Sequence, residues 1–249
     1  MIPIQNSVGY IIAKERGWVS LITKGGPGSG IRGHVTAREV GTSKSKTALD
    51  KISSILGDQL HVTEKDSAIV KQYIDDLSMF SGSILNALKD KGVSFYIGDK
   101  PMIDLDDNQF LKGVRPRGWP EGSTWDSVAG GYNLERKIVS AGRGRSGSIS
   151  LIGHETGHAI LRNLIKEDRY GNRMDILKDL HEKYYSTFTS YYSQGGLKSD
   201  VGVSEMFAES VGALIGQSKN LYSESFYRIN SNKDFTKDAT NLIKKWGIV

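Results

Sequence analysis

The sequence predicts an α+β fold, mainly helical, with a small sheet ahead of one unusual helix. Three observations carry this reading. Apolar residues recur at helical spacing over much of the chain from residue 48 to the end. Two β-rich runs, "VSFYIG" at 93–98 and "LERKIVSAG" at 134–142, interrupt that pattern. After both comes "SLIGHETGHAILRNL", residues 150–164, an apolar helical stretch that carries His154, Glu155 and His158.

Taken in order, residues 1–22 alternate weakly and are expected to form a short hairpin around Glu15-Arg16-Gly17. "KGGPGSGIRGH" at 24–34 has five glycines and a proline, too many for a regular element. It reads as a linker running to residue 47, so the expected division is an N-terminal extension, 1–47, and one domain, 48–249. From Glu64 to Gly92, Ile69, Val70, Tyr73, Ile74, Leu77, Ile84, Leu85 and Leu88 keep helical spacing, with a break at Ser81-Gly82-Ser83. Gly92 ends the helix before the first strand. The loop "DKPMIDLDDN" places Asp104, Asp106 and Asp107 close together, but lacks the Gly and distal Glu of a calcium loop and reads as a solvated acidic loop. "RPRGWPEGSTWDSVAGGYN", 115–133, reads as structured loop ahead of the second strand. A helix of 146–166 follows, its start capped by hydroxyls within Ser146–Ser150. Further helical patterns cover 172–193 and 203–218, the latter with Ser204 as a cap, and "DFTKDATNLIKKWGIV" closes the chain.

Composition removes several kinds of chemistry. The 249 residues include no cysteine, which excludes disulfides, thiolate metal sites and a cysteine nucleophile. The net charge of +5 is modest and reads as a solvated face; no nucleic acid partner is expected. No apolar run approaches the ~20 residues of a membrane span. The N-terminus lacks a basic segment followed by a long apolar core, so no signal peptide is expected. Export by another route, or carriage with a virion, stays open.

The helix at 150–164 is different. His154 and His158 are four apart, so they stack on one helix face. Two imidazole nitrogens can then meet one zinc ion at ~2.0–2.1 Å. Glu155 is rotated ~100° away and reaches a metal-activated water without binding the metal itself, the logic of H-E-x-x-H. Burying these three among Leu151, Ile152, Ala159, Ile160 and Leu161 without partners would be costly, and a metal supplies partners. A catalytic zinc takes a third protein ligand. His34, His61 and His181 are the remaining histidines, and the position six after His158 is Leu164, which rules out the three-histidine arrangement. A carboxylate remains. In "SEMFAES", Glu205 and Glu209 are an i, i+4 pair on a helix whose core stripe is Val203, Met206, Phe207, Val211, Leu214 and Ile215. Glu205 is the expected third ligand of one zinc per chain. Glu209, one turn on, is expected to accept the N–H of a ligating imidazole. Swapped roles, or two solvent-facing glutamates, remain open at this stage.

Several stretches together resemble the anthrax lethal factor-like zinc metallopeptidase domain, the family that includes clostridial proline-specific endopeptidases. They are "LKDKGVSFYIGD", "RGWPEGSTWDSVAGGYN", "SISLIGHETGHAI" and "TSYYSQGG" followed by "SEMFAES", spanning roughly residues 65–249. The resemblance implies a zincin-like metallopeptidase fold. It implies His154, His158 and Glu205 as zinc ligands and Glu155 as general base. It also implies a tyrosine that hydrogen-bonds the oxyanion, here Tyr191 or Tyr192. The implied activity is hydrolysis of peptide bonds in a polypeptide substrate. The Gly-Pro-Ser linker also resembles short segments of phage and prophage structural proteins, which keeps two other readings in view. One is a virion-associated binding module on a zincin fold; the other is a self-processing protease.

Overall fold

The computed structural model describes residues 18–19, 38–39, 47–106, 108–115, 121–144, 146–167, 171–216, 229–230 and 232–249. The chain divides into two units, Met1–Thr47 and Ala48–Val249. In the first, β1 (Trp18–Val19) pairs antiparallel with β2 (Arg38–Glu39). The partner of Trp18–Val19 thus lies at 38–39, within the expected linker, and not within residues 1–22. The remainder of the expected hairpin and of the Gly-Pro-Ser linker falls outside the described residues.

The second unit opens with α1 (Ala48–Leu56) and β3 (Leu60–Val62), where sequence reading placed no element. Ile52 and Leu56 give α1 a buried stripe. The long helix expected from Glu64 is two helices, α2 (Ala68–Ser78) and α3 (Gly82–Asp90), split where the serines predicted it. Ser81 caps α3 by accepting from the Ile84 N–H. Gly92, at φ 80°, turns the chain into β4 (Ser94–Ile97). Along β4, Phe95 and Ile97 enter the core while Tyr96 lies on the other face, stacked on His61 of β3.

Two further strands complete a sheet of order β3-β4-β6-β5. β6 (Ile138–Ala141) runs parallel to β4, and β5 (Gly130–Asn133) pairs antiparallel with it at the edge. The end of the expected tryptophan loop is therefore strand. Within that loop residues 116–120 fall outside the described residues. The acidic loop is solvated only in part: Asp104 is exposed, but the Asp106 side chain is largely buried, and Met102, Ile103 and Leu105 between and before them enter the core. Asp104 accepts from Gln109 and Asp106 pairs with Arg136 at 2.8 Å; Asp107 is outside the described residues.

The active helix of the sequence reading is shorter than expected. It is α4 (Leu151–Ile160), which begins five residues after Ser146 because Ser150, and not an earlier serine, caps it by accepting from Gly153 N–H at 3.1 Å. It continues as one π turn over Leu161–Ile165. The Asn163 side-chain amide donates to the Ala159 carbonyl, the group that the Asn163 backbone N–H would meet in a regular α-helix. α5 (Arg173–Tyr184) ends nine residues before the expected limit of 193, and a turn-rich segment carries Tyr191 and Tyr192. α6 (Asp200–Ile215) starts earlier than expected, since Ser199 and not Ser204 is its cap. α7 (Lys233–Lys245) closes the chain.

α4 lies between the sheet and α6, and it touches α6 more extensively than any other element. The contact is close because the facing positions are small. A Cβ built on Gly157 would lie 2.8 Å from the Ala208 Cα, and one on Gly153 would lie 3.1 Å from the Gly212 Cα. Under the same unit, His181 of α5 is fully buried. Burial lowers its pKa below the usual 6.5, although its bond to the Tyr192 carbonyl works the other way. No helix of the described residues is long and apolar enough to cross a membrane.

Two predictions follow from this packing. Gly157→Ala gains about 1 kcal/mol of helix propensity but overpacks the seam by about 1–3 kcal/mol. A net loss, read as a lower denaturant midpoint at unchanged slope, is expected; a more stable variant would contradict the seam. The second concerns pH. A histidine held neutral by the fold stabilises it fully above 6.5, and that contribution is lost as pH falls below 6.5. Wild type should therefore lose stability below 6.5 more steeply than His181→Gln in matched denaturation curves; parallel curves would show that His181 does not contribute.

Candidate metal centre

α4 presents His154 and His158 one turn apart, with Nε2 atoms 3.1 Å from each other and ring planes at 82°. Across the seam, α6 brings Glu205, whose Oε2 lies 3.6 Å from each of those nitrogens. A tetrahedral ion at ~2.0–2.1 Å from each ligand spaces its ligand atoms by about 3.4 Å. The observed triangle of 3.1, 3.6 and 3.6 Å brackets that value. Among the described residues this is the one group of three potential ligands gathered tightly enough to hold an ion.

The far side of each imidazole fixes the orientation. His154 Nδ1 lies 2.8 Å from Glu209 Oε2, which also accepts from Ser148 Oγ at 2.6 Å. His158 Nδ1 lies 3.0 Å from Ser204 Oγ. A carboxylate accepts, so His154 carries a proton on Nδ1; the Ser204 hydroxyl, which can accept as well as donate, is placed to serve His158 in the same way. With both Nδ1 atoms donating outward, the two Nε2 lone pairs face each other. That arrangement asks for a positive charge between them.

Electrostatics state the same demand. Burial opposes a charge on His154, but the Glu209 bond and the charges of Glu155, Glu209 and Glu205 overcome it and hold the imidazole up at about 9. Burial would raise Glu205, yet the neighbouring His158 and His154 and the Tyr191 hydroxyl bring it down to about 2. Glu209 is also lowered, since its bonds to His154 and Ser148 outweigh burial. A proton on His154 thus offsets crowded carboxylates, and a dication in the triangle would meet the same need and release that proton. Glu155 goes the other way. Burial dominates over the nearby imidazoles and raises its carboxyl. A raised carboxyl holds a transferred proton better than an ordinary one, which suits acid–base work near neutrality.

A family model described as anthrax toxin lethal factor, N- and C-terminal domain, matches residues 42–211. The chain belongs to the anthrax toxin lethal factor family. Two curated relatives are similar to it. The Pro-Pro endopeptidase of Paenibacillus alvei is 31% identical over 133 residues, 50% of this chain and 57% of the relative. The Pro-Pro endopeptidase of Clostridioides difficile strain 630 is 35% identical over 91 residues, 35% of this chain and 41% of the relative. The chain therefore spans about half the length of the curated relatives it matches. The solved Pro-Pro endopeptidase of Paenibacillus alvei shares its fold, with a TM-score of 0.50 at 24% identity, covering 76% of this chain and 99% of that one. The α+β zincin-like architecture expected from sequence is the fold of this lethal factor-family chain. The match starts at residue 42, after the Gly-Pro-Ser segment, and the relatives are peptidases and not phage structural proteins.

In this family member the two candidate tyrosines separate. Tyr191 Oη donates to Glu205 Oε2 at 3.0 Å, although its ring is half exposed. Burial and then the Glu205 charge push its phenol above the ordinary range, so it stays a donor. Tyr192 turns into the core, and its carbonyl accepts from His181. The structure thus brings together His154, Glu155, His158, Glu205, Glu209 and Tyr191, and takes the Tyr192 ring elsewhere. Sequence reading missed Ser148 and misread Ser204 as a cap. A serine inside an apolar helix, where it is a neutral to unfavourable choice, was the available signal.

Removal of these groups is expected to rank metal affinity. Glu205→Ala should lose metal at chelator concentrations that Glu209→Ala and Ser204→Ala survive, because groups that only orient an imidazole are worth ~10–100-fold and a ligand more. Competition with a chromophoric chelator gives the order; a weaker Glu209→Ala would reverse the two glutamates.

Proposed function

We propose that this chain is a zinc-dependent endopeptidase, with His154, His158 and Glu205 holding one zinc ion. The observation that carries the reading is the triangle of His154 Nε2, His158 Nε2 and Glu205 Oε2, with the buried carboxylate of Glu155 on the same helix beside it. Two imidazoles and one carboxylate are the donor set of a catalytic zinc with a position left for water or substrate. A binding module that used the metal for structure alone would have no use for Glu155, and burying a carboxylate without purpose is costly.

The chemistry a zinc ion supplies when held there is Lewis acidity, which acidifies a water and polarises the scissile carbonyl. The chain's own groups do the rest. Glu155 takes the proton of the attacking water and passes it to the leaving amine. Glu209 and Ser204 keep the two imidazoles in the tautomer with Nε2 free to bind. Tyr191, protonated and beside Glu205, donates to the oxygen that gains charge as the carbonyl is attacked. The fully protein-made parts of the site are thus a base, an oxyanion donor and two oriented ligands.

The substrate is a polypeptide. The names of both curated relatives make peptides with a Pro–Pro bond the first to assay. Glu155→Gln should keep its metal and fold but lose at least ~10²–10⁴-fold in turnover, because one group supplies both proton transfers. A peptide library that includes Pro–Pro bonds, read by mass spectrometry, measures this. Cleavage by Glu155→Gln at the wild-type rate would rule out the mechanism.

A further inference from the structure

Tyr191, the oxyanion donor of the proposed reaction, is 49% exposed, so burial alone does not place its side chain. Its position must come from its backbone. The hydroxyl meets Glu205 fourteen residues later in sequence, across the turn-rich segment that joins Tyr192 to the start of α6. How that segment closes decides whether the hydroxyl reaches the carboxylate.

One side chain spans the closure. His181 of α5, fully buried, donates from Nε2 to the Tyr192 carbonyl at 2.8 Å and accepts at Nδ1 from the Lys198 N–H at 3.3 Å. A neutral imidazole with its proton on Nε2 satisfies both bonds, and burial favours that neutral form. The ring is held flat against Phe188, with centroids 5.1 Å apart at 25°, and meets Tyr185 edge-on. The far end of the segment is tied to the same helix again. Lys198 sits at φ 54°, and its ammonium pairs with Asp179 and Glu182 of α5. The first turn of α6 seats directly on the clamp. A Cβ on Gly202 would lie 2.7 Å from His181 Nε2 and 2.7 Å from the Tyr192 carbonyl oxygen, so only a glycine fits there. Tyr191 rides on this clamp through Tyr192, its sequence neighbour, against whose ring it packs edge-on at 5.1 Å.

We infer that His181 is a positioning residue for the peptidase reaction: by bridging the Tyr192 carbonyl and the Lys198 N–H, it sets the reach of the Tyr191 hydroxyl to the metal centre. The inference rests on the peptidase reading for its kinetic consequence and on the clamp geometry alone for its structural one. His181 touches none of the three ligands and acts only through the tyrosine. Its loss should therefore leave metal affinity unchanged and lower turnover without weakening substrate binding.

The test uses three variants of the full chain. His181→Leu removes both bonds at similar volume. His181→Gln keeps an amide N–H near the Nε2 position. His181→Asn, whose shorter amide does not reach that far, replaces Leu if Leu does not fold. In metal-loaded protein labelled with ¹³C-tyrosine, the Tyr191 ring signals, assigned with Tyr191→Phe, should shift in Leu or Asn and return towards wild type in Gln. In a peptide assay, kcat should fall about 10–100-fold in Leu, the scale of a ~1 Å misplacement, with KM changed less than about threefold. In the Tyr191→Phe background the same substitution should cost nothing further. Unmoved Tyr191 signals, or losses that add in the double variant, would overturn the inference. A wild-type chain that cuts no peptide while the Tyr191 signals still follow the series would sink the peptidase reading and leave the clamp standing.

Discussion

The near contact of two helix backbones is what the site depends on. α4 and α6 meet through Gly153 and Gly157 on one side and Ala208 and Gly212 on the other, all four apart, so the small residues form matched stripes. The residues of the cluster are neighbours of these positions: His154 follows Gly153, His158 follows Gly157, and Glu209, which stands behind the His154 imidazole, follows Ala208. A larger side chain in the seam would push α6 away, and a carboxylate is too short to follow across an extra helix radius of separation. Packing and coordination are therefore one constraint. The sheet serves it from the other side, where Gly130 of β5 lets Leu151 close against the strand.

The second constraint is charge. Glu155, Glu205 and Glu209 lie within one largely buried cluster with two imidazoles. Left alone, such a cluster must neutralise some of its carboxylates or draw protons onto its histidines. Both occur here in different places: the His154 imidazole is pulled up and the Glu155 carboxyl is pushed up. The neighbours divide the work. Glu209 and Ser148 hold one imidazole, Ser204 holds the other, and Tyr191 braces Glu205. His154, His158 and Glu205 thus each have a protein partner of their own, which would lower the cost of organising the site for a metal ion.

Much of this was legible in the sequence, for physical reasons that also mark where legibility stops. His154, Glu155 and His158 could be read because helical spacing converts sequence directly into a shared face. Glu205 and Glu209 could be read as a pair for the same reason, but their roles stayed open, since both lie far enough beyond His158 for the chain to return to the first helix. The choice between Tyr191 and Tyr192 could not be made, because adjacent residues in a turn point apart and their direction is set by closure onto α5, a long-range event. Ser204 was misread because a serine just before an apolar helical run resembles a cap, whereas the real cap lay five residues earlier at Ser199. α1 and β3 escaped because a three-residue strand is too short to show alternation, and β5 because Gly130 and Gly131 carry no β signal. In the N-terminal unit, the strand partner at Arg38–Glu39 sits in sequence that reads as linker, since two residues cannot outweigh their glycine-rich surroundings.

The claim at the centre is that His154, His158 and Glu205 converge on one ion while Glu209 stands behind an imidazole. Crystals of the zinc-loaded chain, measured just above and just below the zinc absorption edge, test it without reference to activity. The account predicts a single anomalous peak that vanishes below the edge, ~2.0–2.2 Å from His154 Nε2, His158 Nε2 and a Glu205 oxygen, with Glu209 still on His154 Nδ1. A peak bonded to Glu209, or a fully loaded chain whose peak lies away from these three atoms, would contradict it.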